Sequence, residues 1–254
     1  MSIQDTVGLV KRIVCKTQLL ADHLVSSQGF LHHRIQHGCA YSEPLIQAQP
    51  VWMIVDPYDM GVPPEDGLPQ CLGTLAWVAL KCGHAFGGHV LTASQPFSTA
   101  YDTPEQSVWN LIKGVLLSND HTRPGTLADG LQWAIDHLPL THRVVVVSAF
   151  WGKGWQSGYV TLSRRHHLIP FRLNGWADLP MGGLLPITHS KTGDWLVLNS
   201  RSGKQYEAFL TFSQDQSALR QAVFKRLNTP EYVLDKKPDL LSMAMLMLGR
   251  HGSN

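Results

Sequence analysis

The chain has 254 residues, of which 44% are hydrophobic and 16% are charged. This composition supplies enough apolar side chains for a sizeable core, and it excludes a disordered, collagen-like or small disulfide-stapled protein. The 21 basic and 19 acidic residues give a formal net charge of +2. Because the basic residues are scattered along the chain, the sequence lacks the charge pattern of proteins that bind nucleic acid or anionic membranes.

Cysteine usage and the amino-terminal segment favour a cytoplasmic location. The cysteines lie far apart and form no Cys-x-x-Cys pair, which favours a reducing compartment; they are Cys15, Cys39, Cys71 and Cys82. Residues 1–27 mix acids and bases with apolar residues, and no stretch approaches the roughly 18 apolar residues of a membrane span. We therefore expect no signal peptide and no stable membrane insertion.

Helical and extended patterns alternate along the chain. Apolar residues recur every three or four positions over residues 7–25, which predicts a helix, and the run 51–55 predicts a buried strand that stops at Asp56 and Pro57. The later patterns predict, in order, helix 72–81, strand 86–93, helices 104–117 and 127–138, strand 144–147, a helix that ends near 166, strand 168–173, a hairpin of 184–187 with 195–198, and helices 217–227 and 240–248.

The alternation of strands and helices predicts an α/β fold: a doubly wound, mainly parallel, Rossmann-like sheet with helices on both faces. We assign residues 1–48 to an N-terminal helix and a His-rich connector, and residues 49–174 to the sheet domain. Residues 175–254 are expected to form a C-terminal extension, a hairpin and helices packed on the same domain. In such sheets ligands bind beyond the carboxyl ends of the strands.

Several pieces of the sequence resemble a von Willebrand factor A domain in their order and spacing. They are Gln49-Pro50-Val51-Trp52 before Asp56, residues 82–88, Gly125-Thr126-Leu127 with Gly130-Leu131, residues 144–150, residues 164–167, Leu179-Pro180 and Thr192-Gly193. More narrowly, the order is similar to the bacterial family called domain of unknown function 58, whose genes often lie beside those for MoxR-type AAA+ ATPases. The resemblance covers about residues 34–250 and implies the A-domain fold.

In that family, an Asp-x-Ser-x-Ser loop after the first strand, a Thr in a middle loop and a late Asp hold a divalent cation. Here Asp56 and Thr126 match the pattern, whereas Tyr58, Met60 and Ala149 stand at the places of the two serines and the late Asp. Mg²⁺ needs several oxygen ligands, and Met60 and Ala149 offer none. The resemblance therefore implies a degenerate metal-ion-dependent adhesion site that holds no metal.

Two interpretations of the matching residues stay open. In one, a pseudo-site presents a partner-binding face formed by Asp56, Tyr58, Asp59, Met60, Thr126, Ala149 and Trp151. In the other, Asp56 caps a turn before Pro57 and Thr126 caps the helix that follows it. Both predict a protein without catalytic residues or cofactors. The resemblance implies an adaptor or chaperone-like module whose partner is a MoxR-type AAA+ ATPase or its client.

A dinucleotide-dependent enzyme is one alternative. Gly152, Gly154 and Gly158 follow a strong strand, but their spacing differs by one residue from Gly-x-Gly-x-x-Gly, and the next strand ends in Asn174 instead of an acid. The plainer interpretation is a flexible loop in which Trp151 and Trp155 present apolar surface.

A zinc-dependent enzyme is the other alternative. Cys82, His84 and His89 could meet at a zinc site, with His32, His33 and His37 as further donors. Neither set has the His-x₃-His or Cys-x-x-Cys spacing that makes a zinc prediction specific.

Overall fold

The computed structural model describes residues 3–27, 49–57, 67–91, 97–98, 102–116, 125–139, 141–152, 154–173, 184–188, 195–199, 202–234 and 239–248. Of the predicted partner-binding residues, Tyr58, Asp59 and Met60 lie outside these ranges. The same holds for the additional zinc donors, which are His32, His33 and His37.

The described ranges form alternating helices and strands. In chain order they are α1 (Ile3–Ser27), β1 (Val51–Val55), α2 (Gly67–Lys81), β2 (Phe86–Val90), β3 (Phe97–Ser98), α3 (Pro104–Leu116), α4 (Leu127–His137), β4 (Arg143–Ser148), α5 (Trp155–Ser163), β5 (His167–Leu173), β6 (Leu184–Thr188), β7 (Trp195–Asn199), α6 (Gly203–Arg226), β8 (Tyr232–Leu234) and α7 (Leu240–Leu248).

A six-stranded sheet in the order β3-β2-β1-β4-β5-β8 forms the centre of the molecule. Strands β2, β1, β4, β5 and β8 are parallel, and the two-residue strand β3 is antiparallel at one edge. Strands β6 and β7 form the predicted antiparallel hairpin. The predicted α/β class with a mainly parallel sheet is confirmed, and its strand order reverses between β1 and β4.

Strand β4 lies at the middle of this sheet, paired with β1 on one side and β5 on the other. Its four valines, Val144 to Val147, are each 0% exposed. Such a strand has no solvent-facing side, and β-branched side chains suit it because they favour extended backbone. The position of β4 therefore explains why an uninterrupted apolar run stands here in the sequence.

Helices cover both faces of the sheet. One face packs against α1, α2, α3 and α7, and the other packs against α4, α5 and the end of α6 that carries Phe224. Alternate β4 valines enter the two cores, as expected for a strand whose successive side chains point to opposite faces. Within the described ranges, no helix is long and apolar enough to cross a membrane.

Four elements differ from the sequence predictions. Helix α6 begins at Gly203, well before the predicted start at residue 217. Helix α5 begins at Trp155, a residue that the sequence placed in a flexible loop. The short strands β3 and β8 were not predicted. Two or three residues carry no periodicity. The first half of α6 alternates polar and aromatic residues without a helical apolar face, and its Phe209 and Phe212 contact Trp151 from a distant part of the chain.

Gly114 of α3 provides a test of how closely the helices approach the sheet. A Cβ atom at this position would lie 3.0 Å from both Cβ and Cγ2 of Val90 in β2. Since a β-branched side chain cannot move its own Cβ away, we expect Gly114→Ala to lower the free energy of unfolding by about 1–3 kcal/mol. Urea denaturation measures this change.

The matched control is Gly8→Ala in α1, where an added Cβ would meet nothing within 4 Å. Alanine is the better helix former, so this variant should gain about 0.5–1 kcal/mol. Equal stabilisation of both variants would contradict the close approach of α3 to β2.

Candidate functional site

Three polar side chains form a row across the carboxyl ends of neighbouring strands. The register places Ser148 of β4 directly beside Arg172 of β5. Asp56 is the first residue after β1, and its backbone N–H donates to the Val147 carbonyl oxygen over 2.8 Å, which places it on the other side of Ser148. The row lies at the reversal of strand order between β1 and β4, where α/β sheets bind their ligands.

Asp56 and Ser148 are in contact beneath the surface. Ser148 Oγ donates to Asp56 Oδ2 over 3.4 Å and accepts from the backbone N–H of Phe150 over 2.9 Å. Asp56 is 5% exposed and Ser148 is 0% exposed. Because a buried polar group must be hydrogen-bonded, these contacts hold the first turn of the β4–α5 loop in place.

The β4–α5 loop turns sharply over the row. Phe150, Gly152 and Gly154 have φ angles of 55°, 84° and 100°, a region that glycine enters freely and phenylalanine rarely adopts. The Phe150 ring is fully buried and packs edge-to-face on three aromatic rings, those of Trp155, Tyr159 and Phe224. Burial of this ring offsets the strain of its backbone.

The backbone N–H groups of Gly152 and Gly154 in this loop already form hydrogen bonds within the protein. The N–H of Gly152 donates to Gln216 Oε1 over 3.1 Å, and the N–H of Gly154 donates to Gln156 Oε1 over 2.9 Å. Gly158 lies inside α5, where a Cβ would come 3.2 Å from Leu131 Cβ. A dinucleotide loop offers such N–H groups to the pyrophosphate. In this loop, the amides of Gly152 and Gly154 instead anchor it to α6 and to its own helix.

Thr126 is the N-cap of α4 and forms a capping box with Asp129. Its backbone N–H and its hydroxyl donate to Asp129 Oδ2 over 2.8 and 2.7 Å, and the Asp129 N–H donates to Thr126 Oγ1 over 3.3 Å. The preceding Gly125 bonds to Leu91, the residue after β2. The helix-capping interpretation of Thr126 is therefore confirmed.

An exposed aromatic cluster lies beside the row. Trp151 is half-buried, and its ring lies 5.6 Å from that of Phe212 and 6.3 Å from that of Phe209, both in α6. Phe212 is 46% exposed. Two other residues predicted to lie at this surface are buried, since Ala149 and Trp155 are each 1% exposed. The prediction that Trp155 presents apolar surface is therefore wrong.

The far end of the row is an ion-pair cluster that ties α6 to the sheet. Glu231 Oε1 lies 2.9 Å from Arg172 Nε and 2.6 Å from Arg220 Nε. The Arg220 side chain is only 5% exposed. Burial lowers the pKa of Arg220, and the Glu231 carboxylate acts in the opposite direction. Since a buried charge needs a partner, this cluster joins α6 to the carboxyl-terminal half of β5 and to the residue that precedes β8.

The predicted zinc donors take separate structural roles. Cys82 packs at the edge of the core formed with α2, His84 Nδ1 lies 2.9 Å from the Gln49 carbonyl oxygen, and the His89 ring packs edge-to-face on Trp133. Among the residues that the structure describes, no group of three or more His, Cys, Asp or Glu side chains could hold a metal ion.

No protein-family model, no curated protein and no solved structure matches this chain. Its function is therefore inferred from the geometry of the strand ends and from the sequence.

Sequence reasoning missed Arg172, the third residue of the row, and the polar residues that contact the row or its loop, which are Gln216, Arg220 and Glu231. One signal was available, because Arg172 interrupts an apolar strand pattern and a charge in a buried strand needs a partner. Its partner Glu231 lies far along the chain. No spacing rule connects such distant positions, so only the folded structure identifies the pair.

The cap at Thr126 is tested by comparing two substitutions. Thr126→Ala removes the oxygen that accepts from Asp129 N–H, so we expect the free energy of unfolding to fall by about 1 kcal/mol. Thr126→Ser keeps that oxygen and should remain within about 0.5 kcal/mol of the original protein. Thermal and urea denaturation measure both changes, and equal stability of the two variants would contradict the capping role.

The ion-pair cluster is tested with Glu231→Gln, which leaves two guanidinium groups without their carboxylate. We expect the free energy of unfolding to fall by about 2–4 kcal/mol, because Arg220 stays buried. Glu207→Gln is the matched control, since Glu207 is exposed on α6, the helix that carries Arg220. This control should change stability by less than about 0.5 kcal/mol. Urea denaturation distinguishes the outcomes; a Glu231→Gln loss no larger than that of the control would show that the cluster does not hold α6.

Proposed function

We propose that this protein is a non-enzymatic protein-binding module that acts as an adaptor or chaperone-like domain. Its partner-binding surface is the carboxyl-end face of the sheet. The observation that carries the proposal is the aromatic cluster of Trp151, Phe209 and Phe212, whose outermost ring is 46% exposed. Partly exposed aromatic side chains on a rigid support are the commonest anchors of protein interfaces.

The support beneath this cluster is rigid. Trp151 follows Phe150, whose ring is fully buried, and precedes Gly152, whose N–H is bonded to the buried Gln216. Phe209 and Phe212 project from α6, which the Arg220–Glu231 ion pair attaches to the sheet. A partner would therefore meet a preorganised surface and would lose little binding free energy in ordering it.

A von Willebrand factor A-like scaffold with a degenerate metal site is the identity that we propose for the sheet domain. Support comes from the reversal of strand order beside Asp56 and from the sequence resemblance at that residue and at Thr126. The available donors fit a metal poorly, because the Thr126 hydroxyl is engaged in a cap and Ala149 offers no oxygen. By the same resemblance, Tyr58, Asp59 and Met60 would extend the surface.

The resemblance also provides the candidate partner. We propose a MoxR-type AAA+ ATPase, or the client of such an ATPase, and a cytoplasmic location for both proteins. Any nucleotide hydrolysis would then come from the partner, since this chain has no Gly-x₄-Gly-Lys-Ser/Thr loop.

Phe212→Ala tests the surface. Calorimetric titration with a purified MoxR-type AAA+ ATPase should show affinity reduced by about tenfold or more, because the outermost aromatic anchor is removed. Leu19→Ala is the matched control, since Leu19 is 69% exposed on α1. Helix α1 packs on the face of the sheet opposite to the one that Phe224 of α6 contacts. This control should bind like the original protein.

Two results would contradict the proposal in different ways. Unchanged affinity of Phe212→Ala for an ATPase that does bind would reject this surface but keep the partner. Absence of ATPase binding, together with bound nicotinamide cofactor or stoichiometric zinc in the purified protein, would reject the adaptor role and favour an enzyme.

A further inference from the structure

His166 joins two turns at the amino-terminal edge of the sheet, opposite the aromatic cluster. It lies between α5 and β5 and is 6% exposed. Its ring atom Nδ1 accepts a hydrogen bond from the backbone N–H of His142 over 3.2 Å. His142 belongs to the turn between α4 and β4. The same two turns share backbone hydrogen bonds from His167 to His142 (3.1 Å) and from Thr141 to Arg165 (3.4 Å).

The hydrogen bond determines which protonation state of His166 is compatible with the fold. An imidazole nitrogen that accepts a hydrogen bond carries no proton, so the neutral ring of His166 has its proton on Nε2. That nitrogen is buried and has no hydrogen-bond partner among the residues that the structure describes. Protonation would add a proton to Nδ1, the ring's second, and this N–H would face the N–H of His142. Two hydrogen-bond donors, Nδ1–H of His166 and the backbone N–H of His142, would then face each other without an acceptor.

The surroundings of His166 also disfavour its cationic form. Burial lowers the pKa of His166 most, followed by the charges of His142 and Arg165. The His142 ring lies 5.9 Å away and nearly perpendicular to it, and Arg165 Nη1 donates to the Ile135 carbonyl oxygen of α4 over 2.9 Å. The charged groups that face His166 from the described elements are thus basic, and they come from both turns.

The α4–β4 turn itself is strained. Thr141 has a φ angle of 71°, a conformation that β-branched residues rarely adopt because the side chain crowds the backbone. Such strain persists only where neighbouring contacts hold it. The hydrogen bond between His142 and His166 is one of those contacts.

We propose that His166 is an acid-released latch between the α4–β4 and α5–β5 turns. Neutral His166 holds the backbone of His142, and a protonated ring releases it, so that Thr141 and His142 separate from the α5–β5 turn while the sheet stays folded. The latch contributes its full stability above about pH 6.5, the ordinary pKa of histidine. This contribution is lost as the pH falls from there toward the lowered pKa of the folded state.

Hydrogen exchange at the His142 amide tests the latch. Between about pH 7.5 and pH 5.5, protection of this amide, corrected for intrinsic exchange, should fall by up to about tenfold, which is the limit for one group whose pKa in the open state is about 6.5. In His166→Asn the side-chain oxygen can accept from His142 without titrating, so protection should not depend on pH. His167→Gln, which changes the adjacent exposed histidine, should keep the original pH dependence.

An equal loss of protection in His166→Asn, or no loss in the original protein, would overturn the proposal. Nitrogen NMR of the imidazole rings in the unaltered protein provides a second test that needs no variant. The Nε2-protonated tautomer of His166 near neutral pH is expected, and the Nδ1-protonated tautomer would overturn the latch even if the Asn variant does not fold.

Discussion

The rest of the structure depends on the burial of strand β4. Because β4 is paired on both sides and its valines are excluded from water, helices must cover both faces of the sheet. Pairing with β1 on one side and β5 on the other also places the reversal of strand order beside β4. One buried strand therefore decides both the layered architecture and the location of the polar row at the carboxyl ends.

Polar groups near the carboxyl end of this buried strand join it to the neighbouring elements. Ser148 donates to the Asp56 carboxylate, and Arg172 and Arg220 both pair with Glu231. Such groups would be costly to bury without partners. Their contacts draw α6 over the strand ends, and α6 brings Phe209 and Phe212 against Trp151. The exposed aromatic cluster is thus a consequence of how buried polarity is satisfied.

The two edges of the sheet have different chemistry. The carboxyl edge combines an aromatic surface with ion pairs that join three elements, and we propose that it meets a protein partner. The amino edge joins two turns through the neutral ring of His166 and a strained backbone at Thr141. These features suit different purposes, because an interface anchor must be rigid whereas a latch must be able to open.

The sequence by itself determined the α/β class, the parallel strands β1, β4 and β5 and the separate hairpin, whereas the helix cap at Thr126 was one of two interpretations that it left open. Each depends on neighbours a few positions apart, such as the valine run of β4. The short strand β8, the full length of α6 and the polar cluster around Glu231 were decided only by the tertiary structure. Their stabilising contacts join residues far apart in the chain, and local periodicity carries no record of such contacts.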